Sequence, residues 1–261
     1  MKRLLSVYFM LLVLVPMMHQ ALAWGNKGHR IVAQVAYDNL SCRARKQVDA
    51  VLGKRGMIYL STWADEIKSD TIYPKSHTCH YQDLDGGLSD AQVVAMLTDY
   101  PEMGGDLFMA MDSIETVLRQ NGACHDALAF YVHFYADRFC PMHVAHLDDK
   151  GGNGVKMKWF GQNTNLHSVW DGKLIDYKGF SYTEYAQYLH DQYSSKKKAI
   201  LKMTDEETLL QTYHVTSEIY EYHTTWNGNT YHYAYHWLEP MEWQLYTAGV
   251  KLAQALNDIY K

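Results

Sequence analysis

Two histidines in this chain stand four residues ahead of aspartates, His133 before Asp137 and His167 before Asp171. Residues four apart share one helical face, so each pair can aim an imidazole nitrogen and a carboxylate oxygen at a common point, a metal-ligand arrangement. A single pair of this kind is more often a structural hydrogen bond. The metal reading gains force from Asp65 in Trp63-Ala64-Asp65 and His80 in Cys79-His80-Tyr81, which put the same donor types in apolar or aromatic contexts. Unpartnered polar groups are expensive there. With His143, His29 and a free amine at Trp24, the nitrogen and oxygen donors suffice for three zinc ions at about four to five ligands each, counting water.

The Trp24 amine depends on processing. Lys2 and Arg3 precede an apolar run from Leu4 to Met17, and Ala21-Leu22-Ala23 closes the segment as an export signal does. Residues 1–23 therefore read as a signal peptide and 24–261 as one domain, with cleavage turning the Trp24 amide into an amine that owns a usable lone pair. The apolar run is shorter than the roughly 20 residues a spanning helix needs, and no later segment is long and uncharged enough. The expected product is soluble, periplasmic or secreted, without stable membrane association, and nothing implies a protein partner.

A net charge of -5 argues against a broad basic surface gripping duplex backbones, so any contact with nucleic acid must be local. Four cysteines, Cys42, Cys79, Cys124 and Cys140, allow three pairings as two disulfides or remain free thiols; without a Cys-x-x-Cys spacing, cysteine ligation is disfavoured.

The elements that must position these donors read as helices. Ile31, Val35 and Leu40 show helical periodicity, as do the segments from Asp106 to Leu118 and from Ala127 to Tyr135. Pro141 should end or kink the helix carrying His133. Beyond the turn at Gly151, Gly152 and Gly154, the alternation of Val155, Met157 and Trp159 with lysines predicts a short strand or ribbon. Pro240 suits the first turn of a last helix whose Trp243, Tyr246, Val250, Leu252 and Leu256 face the core. The fold class expected is all-α, a single domain with a short β excursion.

The whole mature chain resembles the trinuclear-zinc, single-strand-selective nucleases of the nuclease S-one and P-one type, within the phospholipase C/nuclease superfamily. The anchors, in order, are Trp24-Gly-x-x-Gly-His29, Trp63-Ala-Asp65, His80-Tyr81, His133-x-x-x-Asp137 with Pro141-Met-His143, Asp149-x-Gly-Gly-Asn153, Asn165-Leu-His167-x-x-Trp170-Asp171 and Gly249-x-Lys-Leu-Ala. The resemblance implies one zinc between Asp65, His80, His133 and a bridging Asp137. A second would take the Trp24 amine and carbonyl, His29 and Asp137; a third would take His143, His167, Asp171 and solvent.

The activity so implied is hydrolysis of single-stranded DNA and RNA to 5′-nucleotides by a zinc-bound hydroxide, with 3′-nucleotidase activity as a companion. Asp65 would serve chiefly as a ligand and could also orient the water. Lys68, three residues on, would neutralise a phosphate, against the blander reading of a solvated lysine. Tyr81 would stack on a base while Asp83 and Asn153 read its edge; the alternatives are a core tyrosine and a turn asparagine. The stretch Ala136-Asp137-Arg138-Phe139-Cys140-Pro141 departs from the more usual Gly-Asp-x-His-Gln-Pro of the family, which alters the support around Asp137 and His143. A zinc phospholipase C on a related scaffold is the alternative enzyme. A protein using zinc only for stability is a third reading, disfavoured because the His143, His167 and Asp171 set leaves coordination positions open.

Overall fold

The computed structural model describes residues 24–99, 104–122 and 124–261. The signal peptide expected at 1–23 lies outside the described residues. Among the described residues, thirteen α-helical segments follow one another: α1 (Asn26–Asn39), α2 (Cys42–Leu52), α3 (Gly56–Tyr59), α4 (Trp63–Glu66), α5 (Asp90–Ala95), α6 (Leu107–Asn121), α7 (His125–Asp137), α8 (Leu166–Ser168), α9 (Leu174–Asp176), α10 (Tyr182–Tyr193), α11 (Lys197–Ile200), α12 (Asp205–Thr225) and α13 (Thr230–Ile259). Two short strands, β1 (Lys156–Trp159) and β2 (Gln162–Asn165), pair antiparallel between α7 and α8 as the predicted ribbon. Among the described residues, no helix is long and apolar enough to cross a membrane.

Two helices run through the interior. α1 is buried at every position from Ile31 to Tyr37 and packs against α10 and α13. Gly249 lets α13 approach it closely, since a Cβ there would come within 2.5 Å of Val35 Cβ and 3.0 Å of the Val32 carbonyl. α7 is buried at every position from Leu128 to Asp137, so His133 and Asp137 are carried into the core by aliphatic and aromatic neighbours on the same helix. An all-round apolar helix belongs in the middle of a bundle. The outer helices carry their own start signals: Ser181 with Glu184 and Thr204 with Glu207 form capping boxes at α10 and α12.

The proline expectations resolve differently. α7 ends at Asp137, and Pro141 opens a separate 3₁₀ turn, Pro141–His143, where its missing N–H costs nothing. Pro240 does not begin the last helix; it sits inside the 30-residue α13. Helix continues through it because Tyr233, Ala234 and Trp237 before the proline and Met241 and Leu245 after it are all buried. That packing outweighs the cost of a proline in a helix interior, about 3 kcal/mol. The cysteines are four free thiols, not two disulfides.

Candidate metal centre

Asp137 is fully buried at the end of α7 and four imidazoles converge on its carboxylate. His80 Nδ1 and His133 Nε2 lie 3.2 and 3.3 Å from Oδ2, and His29 Nε2 and His143 Nδ1 lie 3.3 and 3.7 Å from Oδ1. They come from four segments: α1, the 3₁₀ turn Ser76–His80, α7 and the turn Pro141–His143. Asp65 joins from α4, with Oδ1 3.6 Å from His80 Nδ1 and 3.7 Å from His133 Nε2. The same oxygen takes an ion pair from Lys68 at 2.6 Å, although Lys68 lies just past the end of α4.

A second group sits alongside. His167 Nε2 is 2.9 Å from Asp171 Oδ2, and His143 Nε2 is 4.0 Å from Asp171 Oδ1. The four-residue spacing works through a π-helical turn, Val169–Lys173, after the single turn of α8, and such turns recur at functional sites. Trp24 is fully buried beside both groups: its indole Nε1 donates to the Ala136 carbonyl at 2.9 Å, and the next amide, Gly25 N–H, donates to the Asp171 carbonyl at 2.6 Å.

Three imidazoles are oriented by backbone. Nδ1–H donates to the Ser61 carbonyl from His133 at 2.6 Å, to the His80 carbonyl from His143 at 2.5 Å, and to the Gly151 carbonyl from His167 at 2.6 Å. Each bond fixes the tautomer and frees Nε2, the outer arrangement typical of metal-bound histidine.

The residues fit divalent metal. His29 Nδ1, His80 Nε2, His143 Nε2 and Asp65 Oδ2 are buried without a hydrogen-bond partner, and each such group costs about 1–3 kcal/mol if left unmet. The donors are nitrogen and oxygen only at the Asp137 centre, which suits zinc. Titration favours neutral rings at three of the five imidazoles, whereas at His133 and His167, although burial opposes charge, the neighbouring Asp137 and Asp171 carboxylates raise the pKa. Burial holds His29 and His143 below the usual histidine range, and it holds His80 down to about 3. Burial opposes the charge on Asp137 and Asp65, but the surrounding histidines, with Lys68 for Asp65, bring both below the ordinary carboxylate value.

His80, His143 and His167 open onto a cavity of about 430 Å³ whose walls also include Lys68, Tyr81, Asp83 and Asn153. Asp83 is buried, and burial followed by the charges of Asp85 and Asp149 pushes its carboxyl up to about 6. Asn153 accepts a bond from Asn165 Nδ2 at 3.4 Å, tying the cavity wall to the ribbon. All thirteen residues singled out in the sequence therefore lie in these two groups, in the cavity wall or, for Trp24, directly behind them.

Several participants have no sequence signal. The carbonyls of Ser61 and Gly151 are backbone atoms, invisible to a search by side-chain type. His77, Leu147 and Lys150 also line the cavity. Cys140 completes a potential ligand group with His143 and Asp171, its thiol donating to Asp171 Oδ1 at 3.7 Å; its departure from the family pattern is the available clue. Among the other described histidines, His146 stacks on Tyr220, His190 pairs with Asp38 and His214 with Asp90.

A family model for S1/P1 nucleases matches residues 24–261. The chain is 28% identical over 183 residues to Endonuclease 4 of Arabidopsis thaliana, an alignment covering 63% of this chain and 60% of the plant protein. It is 29% identical over 189 residues to Nuclease S1 of Aspergillus oryzae, covering 67% and 66% of the two chains. To Nuclease P1 of Penicillium citrinum it is 29% identical over 163 residues, 57% of each chain. The matched segment thus spans about three fifths of the length of the plant relatives.

Proposed function

Because the chain belongs to the S1/P1 nuclease family, we propose that it hydrolyses phosphodiester bonds in single-stranded DNA and RNA, releasing 5′-nucleotides, with 3′-nucleotidase activity at the same site. The observation that carries this reading is one cavity in which free-edged His80 and His143 share a wall with His167, a lysine, a tyrosine, a buried carboxyl and an asparagine. The wall thus offers partners for a phosphate, a base face and a base edge together. We further assign export to the segment 1–23, with Trp24 as the first mature residue.

Three zinc ions would be held by Asp65, His80, His133 and Asp137, by the Trp24 amine and carbonyl with His29 and Asp137, and by His143, His167 and Asp171. Zinc bound there supplies Lewis-acid polarisation of the phosphoryl group and lowers the pKa of water towards 7. The chain's own residues do the rest. Lys68, at the cavity wall, neutralises charge that builds on the phosphate oxygens. Asp65, held ionised by its surroundings, can accept a hydrogen bond from water at the attacking position and so orient it. Tyr81 offers a ring face to an unstacked base, while the Asp83 carboxyl and the Asn153 amide meet its polar edge. A paired base must first leave its stack at a cost of a few kcal/mol, which sets the preference for single strands.

The test is zinc content and hydrolysis of single-stranded DNA and RNA by protein beginning at Trp24, beside protein carrying one extra N-terminal residue. Three zincs with activity only in the former is the expected result. Full zinc with both nucleic acids intact would overturn the nuclease assignment and turn attention to phosphatidylcholine, the substrate of the alternative phospholipase. Equal activity in both proteins would remove only the terminal amine from the ligand set.

A further inference from the structure

Arg138 directly follows Asp137 in the chain, yet it lines a different cavity from the one at the metal centre. That cavity, about 240 Å³, is walled by residues of α6, α7, α13 and the start of α12, and shares no lining residue with the candidate catalytic one. Its two central cations are buried: Arg138 and Lys251 are each 6% exposed. The Arg138 guanidinium lies over the rings of Tyr135 and Phe139, 5.3 and 5.4 Å from their centroids. Its oxygen contacts fall on Nη2, at 3.3 Å to Thr208 Oγ1, 3.4 Å to the Asp205 carbonyl and 3.5 Å to Asp205 Oδ1, and all are long for a charged donor. Among the described residues, no hydrogen bond engages Nε or Nη1. Lys251 donates from Nζ to the Met203 carbonyl at 2.8 Å and to Gln254 Oε1 at 2.7 Å, neither of which carries charge.

The acids in the same wall are engaged elsewhere, save one. Glu115 accepts from Arg119 Nε and Nη2 through Oε1, at 2.9 and 2.6 Å, and from the Tyr131 hydroxyl through Oε2 at 2.5 Å. Asp258 pairs with Lys261 at 2.8 Å. Asp205 remains, and with its side chain 62% exposed it approaches Arg138 only to 3.5 Å. Two buried cations thus face one solvated carboxylate, and buried charge without a matched partner is unfavourable. Lys251 registers the imbalance: burial holds its ammonium below the ordinary lysine range, with Asp205 opposing that effect and Arg138 adding to it. Tyr135 completes the wall. Burial keeps its phenol protonated, and its hydroxyl has no acceptor among the described residues, so it is available as a donor.

We propose that this cavity binds a phosphate group, with the Arg138 guanidinium, the Lys251 ammonium and the Tyr135 hydroxyl as donors. An oxyanion supplies the missing negative charge, and its several oxygens can meet an arginine fork, an ammonium and a hydroxyl together. The volume lies below the roughly 300 Å³ at which pockets for larger organic ligands begin, which suits a small anion. A nucleic acid strand is disfavoured by the adjoining surface, where a second cavity sharing Arg138 and Asp205 is lined by Asp99, Asp112 and Glu206. Lys251 belongs to the Gly249-x-Lys-Leu-Ala anchor, which the metal centre leaves unused. The inference stands on this cavity rather than on the nuclease reading, under which both carriers of the group, orthophosphate and 5′-nucleotide, are reaction products.

Equilibrium dialysis of the zinc-loaded protein against radiolabelled orthophosphate, and separately against 5′-adenylate, tests it in the wild type and in Lys251→Met, Arg138→Gln and Asp205→Asn. Phosphate held at the metal centre is common to all four proteins, so differences between them read the second cavity. The expected result is about tenfold weaker binding of one phosphate per chain in Lys251→Met and Arg138→Gln, the scale of one charge-assisted bond. Asp205→Asn, which removes the competing carboxylate, should bind about threefold more tightly, a gain that damage to the fold cannot produce. A difference with orthophosphate alone assigns the site to the free anion, and a difference with 5′-adenylate assigns it to the terminal group of a nucleotide. Equal binding in all four proteins with both probes overturns the inference. So does a loss in the first two variants with no gain in the third, which would assign both cations to the fold. Failure of the wild type to hydrolyse any nucleic acid overturns the nuclease reading instead and leaves these binding differences to decide the site.

Discussion

His29 and His133 lie face to face inside the protein, ring centroids 3.8 Å apart and planes 12° from parallel. Only one of two stacked, buried imidazoles can readily carry charge. Burial and then His133 keep His29 below the usual histidine range; burial also opposes charge on His133, but Asp137 and Asp65 raise it above that range. Divalent cations would relieve the conflict, with His133 and His29 serving as neutral ligands in two adjoining sets that share Asp137.

Zinc added to chelator-treated protein should therefore raise its melting temperature, with about 2.7 kcal/mol of stabilisation at a hundredfold excess over Kd. Ligand nitrogens must be unprotonated, and His133 and His167 are the imidazoles whose folded pKa lies above the ordinary histidine value, so the gain should begin to shrink as pH falls through that raised range, while His80, held down to about 3, does not compete for protons there. Scanning calorimetry across that range checks it; a pH-independent gain would mean that the histidines do not bind the ion.

Lys68 is largely buried, its Nζ 2.6 Å from Asp65 Oδ1. Lys68→Ala should lower kcat on single-stranded DNA by about a hundredfold, the scale of losing one donor to developing charge, while zinc content stays at the wild-type value. If zinc falls in parallel with rate, the lysine only holds Asp65 in place.

The Cys140 thiol is kept protonated, first by burial and then by the Asp171 charge, so it acts as an S–H donor to that carboxylate. Removing it as Cys140→Ala should weaken zinc at the His143, His167 and Asp171 group by about tenfold or more, whereas Cys140→Ser should retain most of it. Competition with a chromogenic chelator reads this directly, and equal affinity in the two variants would discard the role.

Asp83 gives a pH effect of opposite sign to the usual carboxylate. Its folded pKa of about 6 lies above the ordinary value, so its favourable contribution to stability is complete below pH about 4 and is lost as pH rises through 6. Asp83→Asn should match the wild type in melting temperature near pH 4 and exceed it at pH 7. In the same variant, discrimination among bases should change, which hydrolysis of the homopolymers would reveal.

The candidate ligands are legible in the sequence because metal chemistry restricts residue type and helices restrict spacing: His133 and Asp137 meet on α7 as a four-residue interval requires. The interval from His167 to Asp171 leads to the right neighbours through a different turn, a π-helical one. Pro240 misleads because local propensity is weak against a buried stripe that continues from Trp237 to Met241. The reach of Lys68 back to Asp65 is the one expected of a helix, yet the helix stops at Glu66. The exposure of Tyr231 and Tyr235 on α13 is hidden for another reason: a tyrosine-rich composition reads as core until exposure is known.

The carbonyls of Ser61, His80 and Gly151 that seat three imidazoles belong to the main chain, and no substitution can delete a carbonyl. The centre is thereby buffered against sequence drift in its surroundings. A saturation scan of activity should find intolerance concentrated at the ligands and at residues that set backbone path, such as Gly151 and Gly152 with their positive φ, and wide tolerance at Ser61 beyond what its buried position demands. Much of what orients the candidate ligand rings is inherited with the fold.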